Sequence, residues 1–201
     1  MKKQKLLLYA ILLMAMALPQ SIFAYDFSAV APTGQTLYYD ILSSSTVSVA
    51  CPNINDSLHF IGGPWYGFSK PSGALTIPSS VTYGGTTYTV TEIGRLAFAE
   101  CSSLTAVTIP TSIVSIGAFS FSGCISLTAI TIPSSVTHIH NGAFGFCTGL
   151  STVNYNADSC TTYDVEPFYG DTNITTIIIG QNVRVIPAHA FPAILPASRQ
   201  A

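Results

Sequence analysis

Residues 101–113 read CSSLTAVTIPTSI, and residues 124–136 read CISLTAITIPSSV. Two near-copies 23 residues apart make this stretch the one that decides the fold. Working outward from Leu104, the same position recurs as Leu127, Leu150 and Ile174, at steps of 23, 23 and 24. Other columns stay in register with it. They are Ile109, Ile132 and Tyr155; Val90, Ile113, Val136, Cys160 and Val183; Ile93, Ile116, Ile139, Tyr163 and Ile186; Phe98, Phe121, Phe144, Phe168 and Phe191; and Cys101, Cys124 and Cys147. A further copy begins at ALTIPSSV, residues 74–81, and carries nine extra residues, YGGTTYTVT. The Gly84-Gly85 pair inside them predicts a tight hairpin turn.

A fixed period of this length is the signature of a solenoid, in which one coil cannot bury its apolar face and a stack of coils can. Leu127, Ile130 and Ile132 follow the L-x-x-L-x-L spacing of a leucine-rich-repeat strand. Successive coils therefore place parallel strands side by side, about 4.8 Å apart. The AFSFSGC and AFGFC segments predict short helical or turn segments on the other side, with the phenylalanine column filling the core there.

The cysteine column falls at a corner just before the strand. Cys is small and packs as an apolar residue, so one reading is a buried ladder of reduced thiols. The other is a disulfide, which five Cys in an exported chain invite and neighbouring coils bring within bonding range. Three in-register side chains pointing the same way are poor bridge geometry. No Cys-x-x-Cys pair occurs, which argues against zinc.

The unit CISLTAITIPSSVTHIHNGAFGF closely resembles the BspA-like, or Treponema pallidum-type, leucine-rich repeat. Cys124, Leu127, Ile130, Ile132, Pro133, Val136, Ile139, Ala143 and Phe144 match its pattern position by position. The resemblance spans roughly residues 74 to 191, and the opening YDFSAVAPTGQTLYYDI also looks like the start of such proteins. It implies a bacterial cell-surface or secreted protein, often an adhesion or recognition module, and names no ligand. Two departures stand out. The fourth unit puts Tyr155, Cys160 and Tyr163 in aliphatic columns, and Ile194 stands where the next Cys is expected. The C-terminal end therefore reads as atypical or truncated.

The domain organisation expected is a signal peptide at 1–24, an N-terminal β cap at 25–73 and the solenoid at 74–201. MKKQK is a basic start, Leu6 to Leu18 an apolar run of 13 residues, and Ala24 a small residue at a cleavage point. That is the export-signal pattern; as a membrane anchor the run is short. Export implies a periplasmic, cell-surface or extracellular location, with no membrane span in the mature chain. In the cap, QTLYYDI and TVSVA joined by LSSS read as a hairpin. Trp65, Tyr66 and Phe68 either seal the apolar end of the first coil or form an aromatic contact platform.

From Tyr25 onward four basic residues face nine acidic ones, a net charge of −5 with histidine neutral. Nucleic acid needs clustered Lys and Arg, so it is excluded as a partner. Charged residues are 8% of the chain, against about 25% in an average protein, and threonine-rich strands take their place. No catalytic, cofactor or metal set is expected. His59, His138, His140 and His189 follow no metal spacing; His138 and His140 flank Ile139 and should point outward. Asp158, Asp164, Glu166 and Asp171 match no calcium loop and read as a solvated cluster.

Two classes remain for function. One is a non-catalytic interaction module; the other is a secreted polysaccharide-active enzyme of β-helix type, which needs paired carboxylates where these strands offer Thr and Ala. A third idea, a threonine array for ice or crystal surfaces, fails because both candidate columns are broken. For the interaction module, Val107 and Ile109 should face the core. Strand alternation then turns Ala106 and Thr108 outward, with Ala129, Thr131, Thr152, Asn154, Thr176 and Ile178 on the same face. Those eight are the candidate binding residues, for a protein or a glycan. Threonine chosen merely for its strand propensity is the plainer explanation.

Overall fold

The structure of the protein, a computed structural model, describes residues 25–53, 63–160, 166–187 and 190–191. Its elements are strands, in the order β1 (Phe27–Val30), β2 (Thr36–Ile41), β3 (Thr46–Ala50), β4 (Gly73–Thr76), β5 (Ser80–Tyr83), β6 (Thr86–Ile93), β7 (Leu104–Thr108), β8 (Ser115–Ile116), β9 (Ala129–Ile132), β10 (His138–Ile139), β11 (Thr152–Tyr155) and β12 (Thr176–Ile179). The repeat places two short strands in each of the first regular coils, and both stack in parallel. β8 pairs with β6 and β10 with β8. On the other side, β9 pairs with β11 and β11 with β12, while β4 pairs with β7 and β7 lies beside β9.

Each column of the repeat lands where burial requires it. Leu104, Leu127, Leu150 and Ile174 are buried, as are Ile109, Ile132 and Tyr155. Val90, Ile113, Val136 and Cys160 follow, and so do Ile93, Ile116 and Ile139. At the C-terminal end this cover thins: Val183 is half-buried, and Ile186 is exposed. Tyr163, Asp164, His59, His189 and Ile194 lie outside the described residues.

The phenylalanine column forms a continuous stack. Ring centroids are 5.1 Å apart for Phe98–Phe121, 5.2 Å for Phe121–Phe144, 5.1 Å for Phe144–Phe168 and 5.2 Å for Phe168–Phe191. Each buried ring contributes about 1.5–3 kcal/mol by leaving water, and each offset stack about 0.5–1.5 kcal/mol more. The segments around these rings are turns, and no helix occurs among the described residues. Sequence allowed a helix or a turn here, and the backbone explains the outcome. Each of these coils passes through the left-handed region twice, at Leu96, Phe119, Gly142 and Glu166, and again at Glu100, Gly123, Phe146 and Gly170. A helix cannot accommodate that. The aromatic exceptions have a packing reason. A Cβ on Gly142 would lie 2.6 Å from the Phe119 ring, and one on Gly170 would lie 2.8 Å from the Phe146 ring. Each strained phenylalanine thus lays its ring over a glycine of the next coil.

At the N-terminal end, β1, β2 and β3 form an antiparallel meander. The hairpin read from QTLYYDI and TVSVA is present. β3 then pairs in parallel with β6, so the meander and the coils share one sheet. The inserted residues form the β5–β6 hairpin, with Tyr83 opposite Thr86. Gly84 and Gly85 both have positive φ, as a two-residue type I′ turn demands. Trp65 is buried, 5.9 Å from Tyr38, and Phe68 packs on Tyr38 at 5.2 Å. Tyr66 alone of the three is largely exposed.

Candidate binding face

Threonine and alanine alternate with aliphatic residues along these strands, and the pleat sends the two sets to opposite sides. In β9, Ala129 and Thr131 are exposed while Ile130 and Ile132 are buried. β11 repeats the pattern with Val153 and Tyr155 inside and Thr152 and Asn154 half-exposed. Register then lines the outward groups up. Thr152 sits opposite Ala129 and Thr176, and Asn154 sits opposite Thr131 and Ile178. The Asn154 Nδ2 group donates to Thr131 Oγ1 at 3.1 Å, a rung of side chains across two coils. Ala106 and Thr108 are exposed on β7. Ile109 is buried below it and Val107 half-buried.

All eight side chains are uncharged, so the face has no strong field of its own. Long-range steering needs fixed charge, and a face like this one must select by shape and short contacts. The last strand breaks the alternation. Ile179, aligned with the buried Ile132 and Tyr155, is 41% exposed, and Ile178 is 53% exposed. The face therefore passes from small hydroxyl and methyl groups to larger aliphatic ones.

All five cysteines are buried, and none is in a disulfide. The Cys124 thiol donates to the Phe98 carbonyl at 3.2 Å, and the Cys147 thiol donates to the Phe121 carbonyl at 3.1 Å. Each thus satisfies a turn carbonyl of the preceding coil. Burial pushes the Cys101 thiol up to about 12 and the Cys51 thiol up to about 11. The reduced ladder is the arrangement observed.

One position of that ladder went unread in the sequence. Asp171 follows Phe168 by the same three residues that separate Cys147 from Phe144, so it occupies the cysteine column. Asp171 is 2% exposed, and neither carboxyl oxygen makes a well-formed hydrogen bond, the Cys147 backbone N–H being the polar group turned toward it. The reading of this residue as part of a solvated acidic cluster is therefore wrong: its place in the repeat overrides its polarity. Burial pushes its carboxyl up to about 7. Asp158 and Glu166 are half-exposed. Asp158 lines a polar depression of about 600 Å³ with Ser159, Gln181, Asn182, Val183 and Arg184. His138 and His140 are half-buried on either side of the buried Ile139, their rings 6.5 Å apart. Among the described residues no three His, Cys, Asp or Glu side chains gather as a metal site. Nor is any helix there long and apolar enough to cross a membrane.

Comparison with known proteins places this geometry. The fold resembles a leucine-rich repeat protein from Bacteroides capillosus, with a TM-score of 0.59 and 25% identity over 77% of this chain and 99% of that one. It also resembles a leucine rich cell surface protein from Faecalibacterium prausnitzii, with a TM-score of 0.50 and 20% identity over 79% of this chain and 44% of that one. No curated protein sequence matches the chain. A model of the BspA type leucine rich repeat region matches residues 76–194 in six copies. Those copies cover more than half the sequence and coincide with the stacked coils, their buried aliphatic columns and their cysteine corners. The chain belongs to the BspA-type leucine-rich repeat family.

Proposed function

We propose that this chain is a non-catalytic interaction module of an exported bacterial protein, recognising a protein surface, or a glycan displayed on one, through the exposed face of its parallel sheet. The observation that carries the reading is the register of β9, β11 and β12. It aligns short uncharged groups across three coils on a face with no charged side chain. Such a surface suits broad contact of low affinity, made effective by many copies on one cell. It gives weak dependence on salt, because few counterions are displaced. The family resemblance and the cell-surface relative point the same way. The basic start, apolar run and Ala24 support export with Tyr25 as the mature N-terminus; mass spectrometry of secreted material finding Met1 to Ala24 still attached would remove that part.

The face is tested with Thr108→Arg and Thr131→Arg made together, which add bulk and charge on the solvent side of the sheet. Cell-surface or immobilised-partner binding should be lost while the folded state is kept. Tyr66→Ala is the counter-test on the N-terminal meander, since Tyr66 is exposed and Trp65 is not. Binding that survives the double arginine change and disappears with Tyr66→Ala would move the site to the meander.

A further inference from the structure

The cysteine column holds three thiols and then a carboxyl. Cys101, Cys124 and Cys147 are fully buried, and Asp171 takes the next place in the column at 2% exposure. A thiol can sit there because it is nearly apolar and can donate to a turn carbonyl, as Cys124 and Cys147 do. A carboxyl can sit there only with its proton. Ionised, it would hold a full charge out of water with little more than the Cys147 backbone N–H turned toward it, which costs several kcal/mol. The titratable groups in reach offer no compensation: Cys147 faces it from the coil below, with Cys124 behind, and Glu166 on its own turn is itself acidic. No cation meets it among the described residues, where the ion pair observed is Lys70–Glu100.

The consequence falls on the binding strand. Asp171 closes the turn from Phe168, its N–H donating to the Phe168 carbonyl at 3.2 Å, and the chain then runs through Ile174 into β12. Among the described residues β12 has one sheet neighbour, β11. We propose that Asp171 makes the coil that carries β12 a pH-sensitive extension of the stack: with its carboxyl protonated the coil packs and β12 joins the face, and when the proton is lost to solvent the turn opens and β12 separates from β11. The exposed face is then one strand longer in mild acid than in mild alkali. The functional meaning of that length rests on the sheet face being the binding surface; the opening itself does not.

The direction follows from linkage. Burial raises the folded-state value from 3.8 to about 7, so between those values the folded coil keeps a proton that the opened chain gives up. The contribution is complete below the unfolded value and drains as pH rises to the folded one. Asp40, in β2, is also raised, to about 6, by burial and then by Asp26. Global melting would therefore mix two sites, and the readout must be local.

The experiment is amide hydrogen exchange of the full mature chain without any partner, corrected at each pH for intrinsic exchange, comparing β12 with β9. Between pH 5 and 8.5 the β12 amides should lose up to about a hundredfold of protection relative to β9. Asp171→Cys, which completes the thiol column, and Asp171→Asn should both abolish that difference. Constant β12 protection in the unaltered chain, or a loss that persists in Asp171→Cys, overturns the proposal. If neither variant folds, carbon NMR of the Asp171 carboxyl in the unaltered chain decides. A midpoint above about 5.5 supports it, and one at or below that value, nearer the ordinary carboxylate range, overturns it.

Discussion

Two successive coils answer the same structural demand with different chemistry. In the coil from Cys124 to Ala143, every inward column is aliphatic, aromatic or thiol, and its buried members are within 2% of complete burial. In the coil from Cys147 onward, the same columns hold Tyr155, Cys160 and then Asp171, all still buried. The backbone register survives the exchange, since Thr152 pairs with Ala129 and Thr176 alike. The difference teaches that position in the stack, rather than side-chain polarity, decides burial here. Once coils above and below have paired, a residue in a column is carried inside whatever it is. Its misfit then appears as a raised pKa or an orphaned oxygen instead of a rearranged chain.

That comparison can be broken most severely by moving the misfit to the middle. Cys124→Asp would place a carboxyl between Cys101 and Cys147, with coils packed on both sides. At pH 8 it should cost more than about 4 kcal/mol, the scale of a buried unpaired charge, and urea titration should find little folded protein. Phe144→Ala comes next. It removes the ring that stacks on both Phe121 and Phe168, and the loss should be about 3–5 kcal/mol by denaturant unfolding. Phe191→Ala is the matching change at the end of the stack, where the ring meets Phe168 and Tyr155. With cover on fewer sides it should cost about 2 kcal/mol, so a loss equal to that of Phe144→Ala would mean the end is as well packed as the middle. Smallest is the double change Thr108→Arg and Thr131→Arg. On an exposed sheet face it should shift stability by no more than about 0.5 kcal/mol in a thermal melt, and a larger loss would show that these threonines hold the sheet together.

Much of this was legible in the residues, and the reason is the repeat. A single L-x-x-L-x-L run is weak, but Leu104, Leu127, Leu150 and Ile174 reinforce one another, so the columns, the outward face and the Gly84-Gly85 hairpin all follow from alignment of the chain with itself. What escaped was what the alignment was not asked. Asp171 was grouped with Asp158 and Asp164 by charge when its spacing from Phe168 put it among the cysteines. The turns at Phe119 and Phe146 escaped for a different reason. Aromatic residues rarely take positive φ, and only the glycine in the following coil, Gly142 or Gly170, reveals why these do. The parallel pairing of β3 with β6 was also invisible, because the meander is outside the repeat and its sheet partner is chosen by packing.

The rungs of the coil sheets have one more consequence. Ser115 pairs with His138, Ala129 with Thr152, and Thr152 with Thr176. Each partner lies one period along the chain, so no rung depends on a distant segment. Excising a whole period from the regular coils would bring the flanking strands into contact with the same in-and-out phase, whereas removing a single residue from within a strand would turn the rest of that strand to the wrong face; a turn absorbs such a change, as it does in the 24-residue step from Thr152 to Thr176. The molecule is thus tolerant of changes in the number of coils and, within a strand, intolerant of changes in frame. Its length is a heritable variable that duplication or loss of one unit can alter in a single event, without redesign of the core.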